Sequence, residues 1–543
     1  MVSDSAARMS LEDFPYASRR MPVVASRGMV ATSEPLAAQA GLWMLRQGGN
    51  AVDAAVATAI ALTVVEPTSN GIGSDSFALI WDGAKLHGLN ASGRAPATHT
   101  PGLFAEQRLS KVPARGWLPV TVPGAPASWR DLHQRFGKLP FATLFEPAIA
   151  YAEGGFPVAP VTAAGWGAAA RSYAEQNTGP EFAGWFDTFA PGGKAPVAGD
   201  SWASPGHAHT LRRIAESGAE DFYKGETART IADFAAATGG YLTVADLAAH
   251  TNDWVEPIGT AYRGYEVWEI PPNGQGIAAL TALNILEGFD LGRLPRESVE
   301  SYHLQIEAMK LGFADAMRYV ADTDHSPVPI AGLLDKEYAA QRRRLIGTRA
   351  LDPVAGTPPG GGTVYLCAAD GDGMMISMIQ SNYQGFGSGI VVPGTGISLQ
   401  NRGAGFVLEP GHPNVVAPGK RPYHTIIPAF LTQGGQAIGP FGVMGGYMQP
   451  QGHLQMVVNQ VDYGMNPQAS LDAPRWQWLQ GREVAVEQDV PQFVLNGLTG
   501  RGHVTRLYHS GGTFGKGQII RRLANGTYVA GSEPRCDGCA VGF

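Results

Sequence analysis

One threonine stands where the sequence changes from a Gly-rich segment to an apolar one. Thr363 follows three glycines at 360–362 and opens the run TVYLCAAD at 363–370. A backbone break before Thr363 would create an α-amino group, with a reference pKa of about 7.7 to 8.0, beside a hydroxyl that needs a base at neutral pH. One residue would then supply both nucleophile and base for amide cleavage. Threonine is also a good strand former, so an ordinary strand start is the alternative.

A pair of glycines could serve the same chemistry. Amide cleavage requires hydrogen-bond donors where negative charge develops on the carbonyl oxygen. Gly445 and Gly446, within VMGGYMQP at 443–450, offer backbone N–H groups that a substrate can approach without side-chain hindrance. Because the chain contains 71 glycines, the pair has weight only in the context of Thr363.

Apolar patterns predict the helices that would position these groups. In EPLAAQAGLWMLRQGG at 34–49, apolar residues recur every three to four positions and two glycines end the helix. The run AVDAAVATAIALTVV at 51–65 fits a buried helix capped by Asn50, and it is short for a membrane span and interrupted by Asp53. A further helix with the same apolar spacing is predicted at 300–322.

Strand predictions flank the same region. FALIW at 77–81 is typical of a short strand. The Pro and Gly content of LDPVAGTPPGGG at 351–362 predicts a linker or exposed loop. After it, TVYLCAAD and MMISMIQS at 374–381 flank GDG, which predicts a β-hairpin. The alternation of helix-like and strand-like stretches predicts an α/β or α+β layout.

Composition excludes several classes of protein. The 543 residues are 44% hydrophobic and 16% charged, which indicates a globular fold with a large core. A net charge of −7 with scattered Lys and Arg predicts no nucleic-acid partner. Residues 1–25 lack the apolar region of a secretion signal, so we expect a cytoplasmic protein without a membrane partner. Cys536 and Cys539 form a single CxxC without a second ligand pair, so no metal site is expected.

Segments along most of the chain resemble the γ-glutamyltranspeptidase family, in the family's order, from about residue 24 to the end. The matching stretches are GMVAT at 28–32, GGNAVDAAVA at 48–57, VPGAPASW at 122–129, FGKLPFATLFEPAIAYAEGGFPV at 136–158, FYKGE at 222–226, LTVADL at 242–247, LNILEGFDL at 283–291, EAMKLGFADAMRY at 307–319, GFGSGI at 385–390, MGGYMQPQGHLQMVVNQVDYGMNPQASLDAPRW at 444–476 and EPRCDGCAVGF at 533–543. The resemblance therefore extends on both sides of Thr363.

The resemblance implies an α+β fold, a four-layer αββα sandwich of the N-terminal-nucleophile hydrolase type, formed jointly by two chains cut from one precursor. Cleavage between Gly362 and Thr363 would give a large (α) subunit, 1–362, and a small (β) subunit, 363–543, which form one intertwined structural unit. The implied partners are these two subunits and a small-molecule substrate, and a homo-oligomer is compatible with them. The scheme requires no metal or organic cofactor.

Residue roles follow from the matching motifs. TVYLCAADGDG is similar to the family's cleavage motif, which implies that Thr363 is the nucleophile and forms an acyl-threonine intermediate. Ser381 falls on a position where the family places a hydroxyl residue that contacts the nucleophile. Gly445 and Gly446 fall on the family's oxyanion glycines. These four residues are the implied catalytic set.

Two motifs depart from the family where a γ-glutamyl substrate would be held. The large-subunit motif, usually Arg-Glu-x-Ala-Pro, reads SGRAP at 92–96, with Ser92 at the arginine position. Arg94 lies two residues on, which in a strand is the same face displaced by about 6 to 7 Å. The small-subunit motif, usually Asn-Asn-Gln-x-Asp-Asp-Phe, reads QNRGAGF, with Ala404 and Gly405 in place of both acids. Tight binding of a γ-glutamyl group by the usual contacts is therefore not expected.

Other polar residues at motif positions indicate a different substrate. His424 and Thr425 replace the Ser-Ser pair that commonly follows Arg-Pro, and Tyr383 stands where the family usually carries asparagine. Together with Arg402 they predict a binding site in which Arg402 pairs with a carboxylate and no group recognises an ammonium. The alternatives are that Arg402 pairs with a structural acid and that His424 is a satisfied core histidine.

These observations predict a self-processing amidohydrolase for a small anionic amide, oxamate-like or another desamino acyl amide. The signatures PPNGQG at 271–276 and SNYQGFGSG at 381–389 resemble a branch of the family that includes oxamate amidohydrolases, and some related members are cephalosporin (glutaryl) acylases. A γ-glutamyltransferase or glutathione hydrolase with atypical substrate contacts is one alternative. An uncleaved, non-catalytic binding or structural member of the family is another.

Overall fold

The computed structural model describes residues 19–353, 364–508 and 511–543. The predicted cleavage site, Gly362 and Thr363, and the predicted linker from residue 354 onward lie outside these ranges. Residues 351–353, where that linker begins, belong to no helix or strand.

The strands are numbered in chain order. They are β1 Val23–Ala25, β2 Gly28–Thr32, β3 Asp75–Trp81, β4 Leu86–Ala91, β5 Phe156–Pro157, β6 Ser201–Trp202, β7 Asp253–Val255, β8 Ile258–Tyr262, β9 Tyr265–Glu269, β10 Val364–Asp370, β11 Met375–Ser381, β12 Ala429–Gln433, β13 Gln436–Met444, β14 Trp476–Gln480, β15 Glu483–Glu487, β16 Val504–Tyr508, β17 Lys516–Arg522, β18 Tyr528–Gly531 and β19 Cys539–Gly542.

Most strands belong to two seven-stranded sheets. Sheet I has the order β19-β2-β10-β11-β3-β4-β7, and sheet II has the order β1-β18-β17-β13-β12-β9-β8. Every neighbouring pair in both sheets is antiparallel. A smaller sheet, β14-β15-β16, contains one parallel pair, and β5 and β6 form a short ribbon.

The helices are also numbered in chain order. They are α1 Pro35–Arg46, α2 Ala51–Val65, α3 Pro101–Glu106, α4 Ala125–Phe136, α5 Glu146–Gly154, α6 Pro160–Gln176, α7 Ala183–Phe189, α8 Pro205–Ser217, α9 Glu220–Lys224, α10 Glu226–Ala237, α11 Val244–Ala248, α12 Gly276–Leu286, α13 Val299–Tyr319, α14 Ile330–Leu333, α15 Lys336–Arg343, α16 Met448–Val461, α17 Pro467–Asp472 and α18 Gln492–Gly500. Within the described part of the chain, none of them combines the length and apolar character that a membrane crossing requires.

Sheets I and II pack face to face, and helices cover the outer face of each. In β10, Tyr365 and Cys367 belong to the core between the sheets, whereas Leu366 belongs to the core beneath α1 and α2. This alternation is the period of a strand that is buried on both faces. Helices α12, α13 and α16 pack against the other face of sheet II, around Val443 and Ile519. The arrangement confirms the α+β class and the four-layer αββα sandwich.

Helix α2 shows how local sequence places one of these layers. The side chain of Asn50 accepts hydrogen bonds from the backbone N–H groups of Val52 and Asp53, and the side chain of Asp53 accepts one from the backbone of Asn50. This reciprocal cap satisfies donors that the first helical turn leaves unpaired. Every residue of α2 is buried, as expected for a helix that is apolar on all sides. The predicted helix at 51–65 and its cap are confirmed.

Strands from both sides of position 363 contribute to each sheet. In sheet I, β10, β11 and β19 follow this position, and the other four strands precede it. In sheet II, β12, β13, β17 and β18 follow it. The predicted β-hairpin is confirmed, because Val364 pairs with Gln380 and Ala369 pairs with Met375. A cut at this position would leave two chains that share both sheets.

A buried ion pair on α13 holds the chain shortly before residue 354. The ammonium of Lys310 donates to Glu307 Oε1 at 2.7 Å and to the backbone carbonyl of Leu351 at 3.0 Å. The other oxygen of Glu307 accepts from the N–H of Leu351 at 2.9 Å. Both charged side chains are fully buried, so each depends on the other for its counter-charge.

Lys310→Ala is therefore expected to lower the free energy of unfolding by about 3 to 5 kcal/mol, because it leaves the Glu307 carboxylate buried without a cation. The measurement is urea unfolding followed by fluorescence at fixed protein concentration. The control is Lys224→Ala, which removes an exposed i,i+4 pair with Glu220 and should cost at most about 0.5 kcal/mol. Equal costs for the two variants would show that the Glu307–Lys310 pair does not stabilise this region.

Candidate active site

The end of β11 lies beside the start of β10. Val364, the first residue described after the gap, pairs with Gln380, and Ser381 is the last residue of β11. The Ser381 hydroxyl accepts hydrogen bonds from the N–H of Tyr383 at 2.8 Å and from Arg402 Nη2 at 3.4 Å. Thr363 itself lies outside the described residues. Val364, the next residue in sequence, begins a strand of sheet I that lies beside the end of β11 at Ser381.

Gly445 and Gly446 lie between β13 and the N-terminus of α16. Their φ angles are +130° and +61°, in the region that favours glycine. Their carbonyls accept from the N–H groups of Met448 and Gln449 at 3.0 and 3.2 Å, so the two glycines lead directly into the first turn of the helix. Within the described ranges neither glycine's N–H donates a hydrogen bond. Two N–H groups at the positive end of a 14-residue helix can stabilise an oxyanion.

Gln275 connects the glycine turn to the residues around Arg402. Its amide nitrogen donates to the carbonyl oxygens of Gly446 at 2.9 Å and Thr425 at 2.7 Å, and its amide oxygen accepts from the hydroxyl of Tyr423 at 3.1 Å. The side chain is fully buried. Gln275 fixes the spacing of these segments, a role that the sequence analysis missed, although it quoted the surrounding PPNGQG signature.

Arg402 is a buried cation without an ion-pair partner. It begins a short 3-10 turn, Arg402–Gly405, and is fully buried. Its Nη1 donates to Thr425 Oγ1 at 2.7 Å. In the described ranges, no carboxylate oxygen lies within 4.0 Å of its guanidinium, and its Nε has no hydrogen-bond partner. Burial lowers the pKa of Arg402 to about 10, so the group remains positively charged at neutral pH.

The ring of Tyr383 forms one wall around this cation. The central carbon of the Arg402 guanidinium lies 4.2 Å from the centre of the ring, a cation–π distance. Tyr383 has a φ of +78°, which costs a non-glycine residue about 1 to 3 kcal/mol and is found mainly at functional sites. The Tyr383 N–H bond to Ser381 Oγ offsets part of that strain. Ser381, Tyr383, Arg402 and Thr425 therefore form one contiguous group.

His424 is held by the protein on both ring nitrogens. Its Nε2 lies 3.0 Å from Asp75 Oδ2, and its Nδ1 accepts from the N–H of Ile426 at 3.3 Å. Because a backbone N–H can only donate, Nδ1 is unprotonated and Nε2 carries the proton that Asp75 accepts. Both side chains are fully buried. His424 thus lies beside the Arg402 group, with its polar atoms satisfied inside the protein.

The three positions at which the family resemblance places charged residues carry small uncharged residues in this chain. Ala404 and Gly405 lie on the same turn as Arg402. A Cβ on Gly405 would approach the carbonyl oxygen of Tyr423 to 2.7 Å, which is closer than a side-chain carbon tolerates without movement. Ser92 is buried and donates its hydroxyl to Asn90 Oδ1 at 2.7 Å.

Arg94 cannot take over the role of the missing arginine at position 92. Its guanidinium lies 3.3 Å from Asp324, 3.5 Å from Asp253 and 3.7 Å from Asp322. These three carboxylates neutralise it at the edge of the fold, where a quarter of its side chain is exposed. Arg402 therefore remains the candidate for anion binding.

One cluster in the described ranges has side chains close enough to hold a metal ion, His303, Glu307 and His503. His303 Nδ1 lies 2.9 Å from His503 Nε2, but the Lys310 ammonium already donates to Glu307. A cation at this place would meet that positive charge, so the donor set fits an internal polar network. Cys536 and Cys539 are free thiols in the described structure.

Gly446→Ala is expected to lower kcat for amide cleavage about tenfold, because alanine keeps the N–H but strains a backbone at φ +61° by about 1 to 2 kcal/mol and displaces the donor. The measurement is steady-state kinetics on the substrates proposed below. Gly464→Ala is the matched control, because Gly464 has a φ of +63° just after the same helix and no atom near an added Cβ. Equal kcat losses in the two variants would show that strain alone, and not the donor, is responsible.

A comparison with family models places most of the chain in one family. The model described as Gamma-glutamyltranspeptidase matches residues 37–543. The match includes β10, β11, the Arg402 turn and the glycine turn before α16. It therefore extends over every element of the site described above.

Three known proteins show what the chain is similar to. It is 37% identical over 535 residues to the glutathione hydrolase-like YwrD proenzyme of Bacillus subtilis, an alignment that covers 96% of this chain and 99% of the relative. It is 34% identical over 540 residues to the oxamate amidohydrolase proenzyme of Klebsiella pneumoniae, with coverages of 96% and 99%. The crystal structure of cephalosporin acylase from Bacillus halodurans matches with a TM-score of 0.95 and 55% identity over 98% of both chains.

Proposed function

The chain belongs to the γ-glutamyltranspeptidase family and is an enzyme of it, and from this premise we propose that it hydrolyses an acyl amide that carries one carboxylate and no α-ammonium. The observation that carries the proposal is Arg402, a fully buried guanidinium without an ion-pair partner in the described residues. Because no acid of the described residues contacts this guanidinium, its N–H groups can donate charge-assisted hydrogen bonds to a substrate carboxylate. The Arg402 guanidinium also donates to the hydroxyl of Ser381, at the end of the strand beside β10.

Cleavage before Thr363 would provide the catalytic group. The support for this step is the family and the names of the two sequence relatives, both of which contain the word proenzyme. The free amine of Thr363 would take the proton from its hydroxyl as the oxygen attacks the amide carbonyl. The N–H groups of Gly445 and Gly446 would stabilise the tetrahedral oxyanion, and the amine would return the proton to the leaving nitrogen. Water would then release the acid from the acyl-threonine ester.

The products of that cut would be residues 1–362 and 363–543. Because each sheet contains strands from both parts, the two subunits would stay associated after cleavage. A cytoplasmic location and a homo-oligomer stay predictions.

The absence of a site for an ammonium supports a desamino substrate. Ala404 and Gly405 carry no acid, and the carboxylates near Arg94 are paired with it. An α-ammonium placed near Arg402 would add a second positive charge to a buried site, which costs several kcal/mol unless an acid compensates it. A glutaryl amide differs from a γ-glutamyl amide by this group alone. It is therefore the closest test of the proposal.

Two substrate lengths have separate support. The contact between Arg402 and Ser381 brings the anion site close to the predicted position of the reacting carbonyl, which favours a compact acid amide such as oxamate. The similarity to a cephalosporin acylase favours a longer acyl chain such as glutaryl. A panel of oxamate, glutaryl p-nitroanilide, γ-glutamyl p-nitroanilide and glutathione distinguishes them by kcat/KM. Highest activity on either γ-glutamyl compound would overturn the proposed desamino specificity and favour a γ-glutamyl enzyme with unfamiliar contacts.

A further inference from the structure

Asp75 is a buried acid beside the Arg402 group that no motif in the sequence analysis included. It begins β3, and its backbone lies directly opposite Ser381 of β11 in the antiparallel register. Its Oδ1 accepts from the N–H of Gly93 at 3.0 Å, and its Oδ2 accepts from His424 Nε2 at 3.0 Å. No atom of its carboxylate is exposed to solvent. In the described residues it forms no ion pair with an arginine or lysine within 4.0 Å.

Charge balance connects Asp75 to Arg402. Arg402 is positive and Asp75 is negative when ionised, so these two described side chains balance each other without a direct ion pair between them. A substrate carboxylate on Arg402 would bring the buried site to a net charge of −1. Isolated charge in a low-dielectric interior is costly, and the usual response of such a group is to take up a proton.

The geometry selects Asp75 as the place for that proton. His424 Nδ1 accepts from Ile426 N–H, so protonating His424 would break a backbone hydrogen bond and create a second buried cation. Burial and the neighbouring Arg402 and Arg421 hold the pKa of His424 well below its usual range. Burial raises the pKa of Asp75 to about 7. The carboxyl oxygens of Asp75 can carry a proton and still accept from Gly93 and His424.

Among the described residues, the other charged and titratable groups around the pair do not offer an alternative. Arg421 is close to both Asp75 and His424, but it is already paired with Asp253. Burial raises the pKa of Tyr223, behind Asp75, above its usual value. Burial likewise raises the pKa values of the tyrosines around Arg402, so all of them are neutral near pH 7. These are Tyr383, Tyr423 and Tyr447.

We propose that Asp75, which is hydrogen-bonded to His424, is the internal counter-charge of the Arg402 site. A substrate carboxylate then binds at this site together with the uptake of a proton. Asp75 is a specificity-determining and positioning residue in this scheme, because it touches His424 and not the substrate. The inference rests on the proposed function, since it takes Arg402 as the carboxylate site. Its consequence is that anion affinity decreases as pH rises above neutrality.

The rival role for Asp75 is direct recognition of a substrate ammonium, which would make the chain a γ-glutamyl enzyme. The structure favours the counter-charge role, because both oxygens of Asp75 are already engaged by Gly93 and His424. The two roles predict opposite effects of Asp75→Asn. Loss of an ammonium partner would weaken γ-glutamyl substrates selectively, whereas loss of the internal counter-charge would strengthen binding of any single carboxylate.

The test is calorimetric binding of two non-hydrolysable monocarboxylates, pyruvate for oxamate and the methyl ketone analogue of a glutaryl amide, to the purified full-length protein. Titrations at pH 6.5, 7 and 8 in buffers with different ionisation enthalpies count the protons taken up. The wild type should take up close to one proton at pH 8 and lose about fivefold in affinity between pH 7 and 8. Asp75→Asn should take up about one proton fewer than the wild type, because any uptake by the α-amine of Thr363 is common to both, and should bind about tenfold more tightly than the wild type at pH 8.

Asp462→Asn is the matched control. Asp462 has a nearly buried side chain with a pKa raised by burial, and it pairs with Arg263 and Tyr262. It should leave the proton count unchanged. If Asp75→Asn does not fold, the proton count of the wild type decides alone: binding without proton uptake at pH 8 overturns the inference. Failure of both monocarboxylates to bind at any pH, or binding that Arg402→Gln does not weaken, overturns the proposed function instead.

Discussion

Thr363→Ala is expected to remain one 57.3 kDa chain without amidohydrolase activity, whereas the wild type should give fragments of roughly 38 and roughly 19 kDa on a denaturing gel, in proportion to residues 1–362 and 363–543. Alanine has no hydroxyl to attack the preceding carbonyl, so neither the self-cleavage nor the acyl-enzyme can form. The amidohydrolase activity of Thr363→Ala should fall to the background rate of the assay.

Two further observations make this result specific. Thr363→Ser keeps the hydroxyl and the amine, so it should still process, more slowly. On a native sizing column, the processed wild type and uncut Thr363→Ala should elute together, because β10, β11 and β19 share sheet I with strands that precede the cut. A wild-type protein that stays whole and is fully active would remove the proposed mechanism.

Arg402→Gln is expected to lower kcat/KM for the anionic amide by about 1.5 to 3 kcal/mol, on the order of 10- to 150-fold, because a charge-assisted hydrogen bond to the substrate carboxylate is lost. Glutamine is the residue that the family's motif carries at this position. Its amide can still reach toward Thr425, so the fold and the self-processing should be unaffected. The measurement is kcat/KM on glutaryl p-nitroanilide and on its neutral methyl ester.

The neutral ester separates charge recognition from general damage. It should lose little activity in Arg402→Gln, because it has no carboxylate to pair. Arg94→Gln is the matched arginine control, since Arg94 is neutralised by Asp253, Asp322 and Asp324 away from this group. If Arg402→Gln is kinetically silent on the anionic amide, the anion site lies elsewhere.

The elements that could be predicted from sequence are those with local causes. Helix α2 is specified by its apolar run and by the reciprocal cap between Asn50 and Asp53 at its first turn. The β10–β11 hairpin is specified by two apolar runs and the turn between them. The layered architecture itself was implied by family resemblance, since apolar periodicity alone did not separate an α/β from an α+β layout.

The features that could not be predicted depend on distant residues. In the sequence alone, Asp75 is only a polar residue at the start of a strand, and its hydrogen-bond partner His424 is 349 positions away. The lack of a carboxylate in contact with Arg402 depends on all the described elements that surround it, and no single motif encodes it. The role of Gln275 could not be predicted from the PPNGQG signature, because its partners Thr425 and Gly446 are 150 and 171 positions away. The ion pairs of Arg94 could not be predicted either, because its three acidic partners are distant from it in the sequence.

Mass analysis of an acid-quenched reaction with glutaryl p-nitroanilide tests directly whether Thr363 is the nucleophile. The small subunit is expected to begin with TVYLCAAD, and its N-terminal peptide should gain the mass of one glutaryl group at Thr363, an adduct that disappears once the substrate is exhausted. Arg402→Gln should reduce the adduct formed at a fixed substrate concentration. A fragment that begins at another residue, or an adduct on Ser381 instead of Thr363, would show that Thr363 is not the nucleophile.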